Sequence, residues 1–232
     1  MEENDYMKSE GVKKEDVLKG HPTVYMLTAP ARSGKDTCGM MIKQTYENMG
    51  KRVLWVNYAD FLKVVCARNF DYDDSNKEEG RHILQEFGTD IARAKSPSIW
   101  IDTVFHLFDT VRFVFDAFII ADARFENELQ PFPYKFTYPI VNVFVDRKIK
   151  EEIGDNEKQH SSETLSNNPN MDDFDYVINN NGTLEETATQ VANIVLEVEE
   201  HRQEILDEQR GLGDKSLDEL INSLDLEGVG EF

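Results

Sequence analysis

Short apolar runs alternate with longer amphipathic segments along most of this chain. Apolar runs bounded by turn residues predict buried strands, whereas apolar residues spaced three or four positions apart predict helices. The predicted strands cover residues 23–28, 52–57, 117–121, 140–145 and 176–178. The predicted helices cover residues 36–49, 58–69, 79–95, 98–113 and 184–206.

Strands that alternate with helices predict an α/β protein with a doubly wound, mostly parallel sheet of five strands. The run at 117–121 is apolar throughout, as expected of a strand covered on both faces. Ligands bind such sheets beyond the carboxyl ends of the strands. We therefore expect residues 29–35, 57–60 and 122–124 to meet at one edge and form a site.

The segment from Ala29 to Thr37 joins the first predicted strand to the first predicted helix and contains Gly34-Lys35. This is the context of a phosphate-binding loop. N–H groups of the loop and of the first helical turn lack internal partners, and Lys35 and the helix dipole add positive charge. We expect a nucleoside triphosphate to be bound by Ala31, Arg32, Ser33, Gly34, Lys35, Asp36 and Thr37. The fold would then be a P-loop NTPase-like three-layer sandwich.

Two positions depart from the usual G-x-x-x-x-G-K-[ST] pattern of such loops. Ala29 stands in place of the first glycine, and Asp36 follows Lys35 where a hydroxyl is usual. A carboxylate beside a triphosphate is repulsive unless Mg²⁺ or Arg32 lies between them. Either Asp36 or Thr37 could face the metal, and a chance Gly-Lys in a basic turn is the alternative interpretation.

Asp122 and Arg124 follow the third predicted strand, at the edge where ligands are expected. In proteins with a phosphate-binding loop, an acid at this position orients Mg²⁺ directly or through water. An arginine two residues later could bind a phosphate through two parallel N–H donors. The alternative is an ordinary turn with an ion pair at the surface.

A glycine interrupts the third predicted helix at Gly88-Thr89-Asp90. A glycine inside a helix costs roughly 0.5–1 kcal/mol relative to alanine, so a compensating role is expected. It could provide a kink or a close helix contact, or it could turn Thr89 and Asp90 toward the base or sugar of a substrate. Asp60 and Lys63, after the second strand, are further candidates for binding a substrate.

Arg147 ends the fourth predicted strand and opens a polar, charged stretch that continues to about residue 170. A basic segment that closes over phosphates would exclude water and neutralise charge, so residues 147–170 are a candidate lid. The acidic residues of the same stretch favour a solvated loop instead. His160 and Glu163 lie in it and are candidates for binding substrate, although a lone histidine is more typical of a surface.

The charge of the chain limits its partners. A net charge of −20 argues against nucleic acid or an anionic membrane, because phosphate backbones are bound by clustered Lys and Arg. A nucleotide needs only a local basic pocket and Mg²⁺. Residues 196–232 contain 12 acidic and 3 basic residues, so nearly half of the excess charge lies near the C-terminus.

The cysteine content and the lengths of the apolar runs bear on the cellular compartment of the protein. Cys38 and Cys66 provide neither a disulfide framework nor metal-ligand spacing, and both fall in apolar helical patterns. The N-terminus has no signal-peptide pattern, and no apolar run approaches the ~20 residues needed to span a bilayer. We expect a cytoplasmic protein with no membrane contact.

Several segments between about residues 23 and 195, taken in order, resemble those of the bacteriophage deoxynucleoside monophosphate kinases. They are Arg32-Ser33-Gly34-Lys35-Asp36-Thr37; Gly88-Thr89-Asp90 with Trp100; Asp122-x-Arg124 with Asn127-Glu128; His160-x-Ser162-Glu163; and Asp175-x-x-Ile178-x-Asn180-x-Gly182-Thr183-Leu184-Glu185-Glu186. Each segment alone is weakly specific, whereas the ordered set is fairly specific. Gly-Lys-Asp resembles the loop of that family, so Asp36 supports the resemblance.

The resemblance implies transfer of the ATP γ-phosphate to a deoxynucleoside monophosphate, giving ADP and a deoxynucleoside diphosphate for phage DNA synthesis in the host cytoplasm. It implies ATP and Mg²⁺ as cofactors. The candidate catalytic residues are Lys35, Asp122, Arg124 and Arg147, the last as the arginine of the lid. The candidate metal ligands are Asp36, Thr37 and Asp122. The candidate substrate-binding residues are Asp60, Lys63, Thr89, Asp90, Trp100, Arg124, Glu128, His160 and Glu163.

We expect three parts: a flexible arm over residues 1–21, a nucleotide kinase domain over 22–210, and an acidic tail over 211–232. Three alternatives stay open. The chain could be a kinase of another phosphorylated metabolite, such as phosphomevalonate, or a nucleotide-gated switch. It could also be an adaptor without catalysis, whose tail binds a basic partner. A homodimer is compatible with the sequence as well.

Overall fold

The computed structural model describes residues 21–73, 75, 77–148 and 164–209. The acidic tail and all of the predicted arm except His21 therefore lie outside the described residues. The same holds for residues 149–163 of the predicted lid, which include His160 and Glu163. The roles predicted for these segments stay predictions.

Within the described residues, five parallel strands form one sheet. They are β1 (Thr23–Thr28), β2 (Val53–Trp55), β3 (Ala117–Ile120), β4 (Ile140–Asp146) and β5 (Tyr176–Asn179). Their order across the sheet is β2-β3-β1-β4-β5. All five predicted strands are present, and the sheet is parallel throughout rather than mostly parallel. In the middle strand, Tyr25 pairs with Ile119 on one side and Val141 on the other.

The middle strand, β1, separates two apolar cores. All of its residues are buried, and successive side chains point to opposite faces of the sheet. Val24 and Met26 belong to one core, and Tyr25 and Leu27 belong to the other. Because both faces are covered, the strand is a nearly continuous apolar run, which is the pattern from which it was predicted.

Helices cover both faces of the sheet. Those of the described residues are α1 (Lys35–Asn48), α2 (Tyr58–Asn69), α3 (Lys77–Gln85), α4 (Ile99–Val111), α5 (Glu126–Leu129), α6 (Thr164–Asn167), α7 (Leu184–Gln209) and a π-helix over Glu86–Arg93. α1 and α7 pack on the face that carries Tyr25, and α2 and α4 pack on the face that carries Met26. No described helix combines the length and the apolar content that crossing a membrane requires.

The helix predicted at 79–95 is the main departure from expectation, because it consists of α3 followed by the π-helix. Gly88 lies inside the π-helix, where a Cβ would overlap the side chain of Leu62 in α2. Its carbonyl accepts a hydrogen bond from the indole N–H of Trp100 at 3.0 Å. Gly88 therefore provides the close helix contact that was one of the two interpretations of its position.

Four short elements of the described chain were not predicted. They are α5, α6 and single 3₁₀ turns at Tyr134–Phe136 and Met171–Asp173. Each spans three or four residues, which is too short for apolar periodicity to be visible. In α6, Leu165 and Ser166 are buried, although they fall in the stretch that was predicted to be a polar lid. The described end of that stretch is therefore packed against the domain.

Cys38 and Cys66 are both free and buried, as predicted. They lie in opposite cores, on α1 and α2 respectively. Burial raises the pKa of both thiols, to about 11 for Cys38. Both therefore act as small apolar residues at neutral pH.

Candidate functional site

Two cavities open side by side at the carboxyl ends of the strands. The loop cavity, of about 420 Å³, is lined by residues 29–37, by Ser166 and Asn167 of α6, and by residues after β3. The helix cavity, of about 440 Å³, is lined by α2, α3, the π-helix, Trp100 of α4 and the segment after β3. The described residues that line both cavities are Lys35, Asp36, Arg81, Asp122 and Arg124. The cavities therefore share a wall of three cations and two carboxylates.

The loop cavity is built mainly from backbone. Arg32 and Gly34 have φ angles of 65° and 85°, in the left-handed region, so the chain turns sharply just before α1. The N–H of Ser33 closes this turn by donating to the carbonyl of Pro30 at 3.2 Å. Residues 35–37 begin the helix and line the cavity. Because the first N–H groups of a helix lack helical acceptors, they are donors suited to an anion.

Asn180, which follows β5, holds the loop from behind. Its side-chain N–H donates to the carbonyl of Ser33 at 2.8 Å, and its amide oxygen accepts a hydrogen bond from the Thr187 hydroxyl at 3.0 Å. A Cβ at Gly34 would overlap the amide of Asn180, which is a second reason for glycine besides its positive φ. The shape of the loop therefore depends on a side chain 147 positions away along the sequence.

Arg147, the predicted lid arginine, lies beside the loop. One of its guanidinium nitrogens is 3.8 Å from the position that a Cβ of Gly34 would take. The side chain is exposed, and it does not belong to the residues that line either cavity. The structure thus places Arg147 next to Gly34 but outside the lining of both cavities.

Lys35 and Asp36 occupy the shared wall and bind each other. The Lys35 ammonium lies 2.8 Å from a carboxylate oxygen of Asp36, whose side chain is largely exposed. Thr37 is also exposed, but it lines only the loop cavity. Of the two loop residues proposed to face a metal, Asp36 therefore reaches both cavities and Thr37 reaches one.

Asp122 fixes the start of α2. Its two carboxylate oxygens accept hydrogen bonds from the N–H groups of Tyr58 and Ala59, each at 2.9 Å. Burial raises the pKa of this carboxyl, although the two hydrogen bonds and the nearby Arg124 and Lys35 act in the opposite direction. Asp122 thus lines the shared wall while it also holds the first turn of a helix that forms the helix cavity.

The shared wall also contains Arg81, which sequence reasoning missed. It lies on the exposed side of α3 and borders both cavities together with Arg124. A single arginine on an amphipathic helix looks like any solvated surface residue, so no signal in the sequence distinguished it. Only the folding of α3 over the sheet edge brings it beside the residues after β3.

Glu128, predicted to bind substrate, lines the helix cavity, and its carboxylate is bonded to other groups of the protein. It is 1% exposed, and one of its oxygens pairs with the guanidinium of Arg93. The other oxygen accepts hydrogen bonds from the N–H groups of Arg124 at 2.6 Å and Phe125 at 3.1 Å. Burial raises the pKa of Glu128 to about 7, against the lowering effect of Arg93.

The remaining candidates for substrate binding divide into two groups. Thr89, Trp100 and Lys63 line the helix cavity, and their role in binding a substrate stays a prediction. Asp90 is exposed and does not line it, because the π-helix directs only part of the Gly88 segment inward. Asp60 does not line it either, since its carboxylate accepts a hydrogen bond from the N–H of Asn57 at 2.8 Å and caps α2.

Comparisons with known proteins add little to this geometry. No protein-family model matches the chain, and no curated protein matches it. A solved structure described as "Crystal structure of APE1195" is similar to 77% of this chain and 97% of its own chain, with 14% identity and a TM-score of 0.45. No function is transferred from it.

The loop cavity meets the chemical needs of a phosphate and a magnesium ion. The Ser33 hydroxyl is buried there and has no hydrogen-bond partner within the described part of the chain. The same part of the chain holds no cluster of three or more acidic, His or Cys side chains that could bind a metal by itself. Mg²⁺ is commonly bound by one or two carboxylates plus substrate phosphates, so a metal that arrives with a nucleotide fits this donor set.

Proposed function

We propose that this protein transfers the γ-phosphate of ATP to a deoxynucleoside monophosphate, giving ADP and a deoxynucleoside diphosphate. The observation that supports this most directly is the pair of cavities that share a charged wall. Transfer between two nucleotides requires two sites whose phosphate ends meet. The parallel sheet covered by helices on both faces is also consistent with a P-loop-like fold.

In this proposal the loop cavity binds ATP. The N–H groups at the start of α1, the helix dipole and Lys35 would hold its phosphates. Asp36 or Thr37, together with phosphate oxygens, would hold Mg²⁺, which would supply additional positive charge. Lys35 would exchange its present partner, Asp36, for a phosphate oxygen when the nucleotide binds.

The helix cavity would bind the acceptor. Its walls combine the apolar side chains of Leu84 and Trp100 and the ring of Tyr72 with the polar groups of Gln85 and Thr89. Apolar walls with a few polar groups suit a nucleoside, and a volume of about 440 Å³ is within the range of small-ligand sites. The phosphate of the acceptor would lie at the shared wall.

The shared wall would then carry the transfer. Phosphoryl transfer needs positioning and charge stabilisation more than a strong base. Arg81 and Arg124 would bind the acceptor phosphate and the transferring group through charge-assisted hydrogen bonds, and Lys35 would do so from the ATP side. Asp122 would hold the start of α2, and thereby the bound acceptor, at a fixed position relative to the loop.

The decisive experiment is an acceptor panel. Purified protein with Mg-ATP is assayed for ADP release with each dNMP, each NMP and phosphomevalonate. We expect turnover with at least one dNMP at a rate well above the ATPase background. Turnover with phosphomevalonate alone would reassign the substrate class. No turnover with any acceptor, together with retained ATP binding by calorimetry, would favour the nucleotide-gated switch or the adaptor.

A further inference from the structure

A buried ion pair lies at the base of the helix cavity. Arg93 is the last residue of the π-helix, and Glu128 lies in α5, after β3. Their side chains are 11% and 1% exposed and bind each other directly. A buried carboxylate and a buried guanidinium are each costly unless they are paired and hydrogen-bonded, so this pair needs an explanation.

The pair joins two segments that line the cavity. On the far side of the carboxylate, Glu128 accepts the N–H groups of Arg124 and Phe125. The guanidinium of Arg93 lies 4.1 Å from the ring centre of Phe125 and also donates to the carbonyl of Pro97 at 3.3 Å. The segment after β3 and the π-helix are thus fastened to each other next to Arg124.

We propose that Glu128 and Arg93 form a positioning clamp, which sets Arg124 and the π-helix relative to each other without binding the substrate. The part of this inference that is tested by kinetics rests on the proposed phosphoryl transfer. Arg124 is held through its own N–H, so its backbone cannot shift without breaking the bond to Glu128. Glu128 and Arg93 are therefore assigned as positioning residues.

The chemistry of the clamp suggests a specific set of variants. The two oxygens of Glu128 receive donors from both sides, and glutamine has one oxygen and one NH₂ group. In Glu128→Gln the NH₂ must therefore face either the Arg93 guanidinium or the two backbone N–H groups. In Arg93→Gln the buried carboxylate loses its counter-charge. The double variant removes both defects, because it leaves neither an uncompensated buried carboxylate nor a guanidinium that faces an amide NH₂.

The expected result is recovery in the double variant. Each single variant should lower kcat by roughly tenfold, and the double variant should return to within about threefold of wild type, as strongly coupled neighbours do. The KM for ATP should stay unchanged throughout. A control cycle uses Lys43→Gln and Glu47→Gln, a partly exposed pair 3.8 Å apart on α1, which should show no coupling. Thermal unfolding of every variant identifies any that do not fold.

Two outcomes would overturn the clamp. If Arg93 binds the acceptor phosphate, the double variant will show no recovery, and the KM for the acceptor will rise in every variant that lacks Arg93. If single variants match wild type in kcat, Glu128 does not position Arg124.

A measurement without substrate separates this inference from the proposed function. Amide hydrogen exchange, followed by NMR, should show that the N–H groups of Arg124 and Phe125 are protected in wild type and lose protection in Glu128→Ala, which removes their acceptor. Rapid exchange of both amides in wild type would overturn the clamp whatever the acceptor panel shows. Protected amides in a protein that phosphorylates no acceptor would leave the contact intact and refute the function alone.

Discussion

The two cavities are built in different ways. The loop cavity takes most of its lining from nine consecutive residues, and its donors belong largely to the backbone. The helix cavity draws on side chains of several helices that are spread between Asn57 and Glu128. A site made from backbone is specified by a short local pattern, whereas a site made from distant side chains is specified only by the whole fold. Removing a single group should therefore abolish binding in the loop cavity, whereas single substitutions in the helix cavity should each weaken binding only in part.

The largest effect is expected for Lys35→Ala, which removes the one lysine of the loop. We expect kcat to fall on the order of 10²-fold or more, as loss of a charge contact to the transferring group does. Steady-state ADP release measures it, with Lys43→Ala on the outer part of the same helix as the control. Near-normal activity in Lys35→Ala would mean that the loop is misassigned.

Arg81→Ala should have the next largest effect, and it tests the shared wall. Loss of one charge-assisted hydrogen bond, worth roughly 1.5–3 kcal/mol, should raise the KM for the acceptor about tenfold or more while the KM for ATP changes less. Arg68→Ala on α2, an exposed arginine that lines neither cavity, is the matched control. If both arginine variants behave alike, Arg81 is a surface residue.

Gly34→Ala tests whether the loop cavity depends on backbone shape. A left-handed residue with a Cβ costs about 1–2 kcal/mol, and here the Cβ would also overlap Asn180. We expect ATP binding, measured by calorimetry, to weaken by about tenfold for that reason. Gly50→Ala has a similar positive φ of 72° but meets nothing within 4 Å, so it should lose stability and keep its affinity for ATP. Equal losses of affinity in both variants would contradict a specific role of the loop.

A smaller effect is expected in the pH dependence of stability, through Glu128 at the helix cavity. The pKa of Glu128 is about 7 in the folded protein, above its ordinary value of 4.5, with Arg93 and Asp122 as the charged groups near it. The folded state therefore binds more protons between these values, and this contribution to stability is present below pH 4.5 and is lost as pH rises through 7. We expect the free energy of unfolding in urea to fall less steeply over this range in the Glu128→Gln/Arg93→Gln variant than in wild type. Identical slopes would show that Glu128 does not titrate there.

The smallest effect is expected from the C-terminal tail. Truncation after Arg210 should leave kcat and both KM values unchanged, because the described residues that line the two cavities all precede it. The acceptor assay measures this directly, and size-exclusion chromatography of both forms reports any change in assembly. A large loss of turnover would assign the tail to the site or to an oligomer contact.

The sequence predicted the sheet and the turn that joins β1 to α1 because each has a local signature. All five strands were apolar runs, and Gly34-Lys35 stood between a strand and a helix. It did not predict Arg81 or the contact of Asn180 with the loop. Arg81 has no local pattern, and Asn180, although it belongs to a segment of the family resemblance, acts through a tertiary contact that the segment does not reveal. Glu128 became a candidate through the resemblance of the segment Asp122-x-Arg124 with Asn127-Glu128, but a sequence segment cannot show that its carboxylate turns inward toward Arg93.

The position of the loop on the middle strand has a consequence for partial denaturation. β1 is buried along its length and bonded on both sides, whereas β2 is an edge strand of three half-buried residues. Central elements open only when the whole domain unfolds, while elements at an edge open locally at lower cost. A protease should therefore cut first near an edge strand, and on the β2 side the cuts would fall among the helices that line the helix cavity, while β1 stays folded. Local opening is thus expected at the edges of the sheet, whereas β1 opens only with the whole domain.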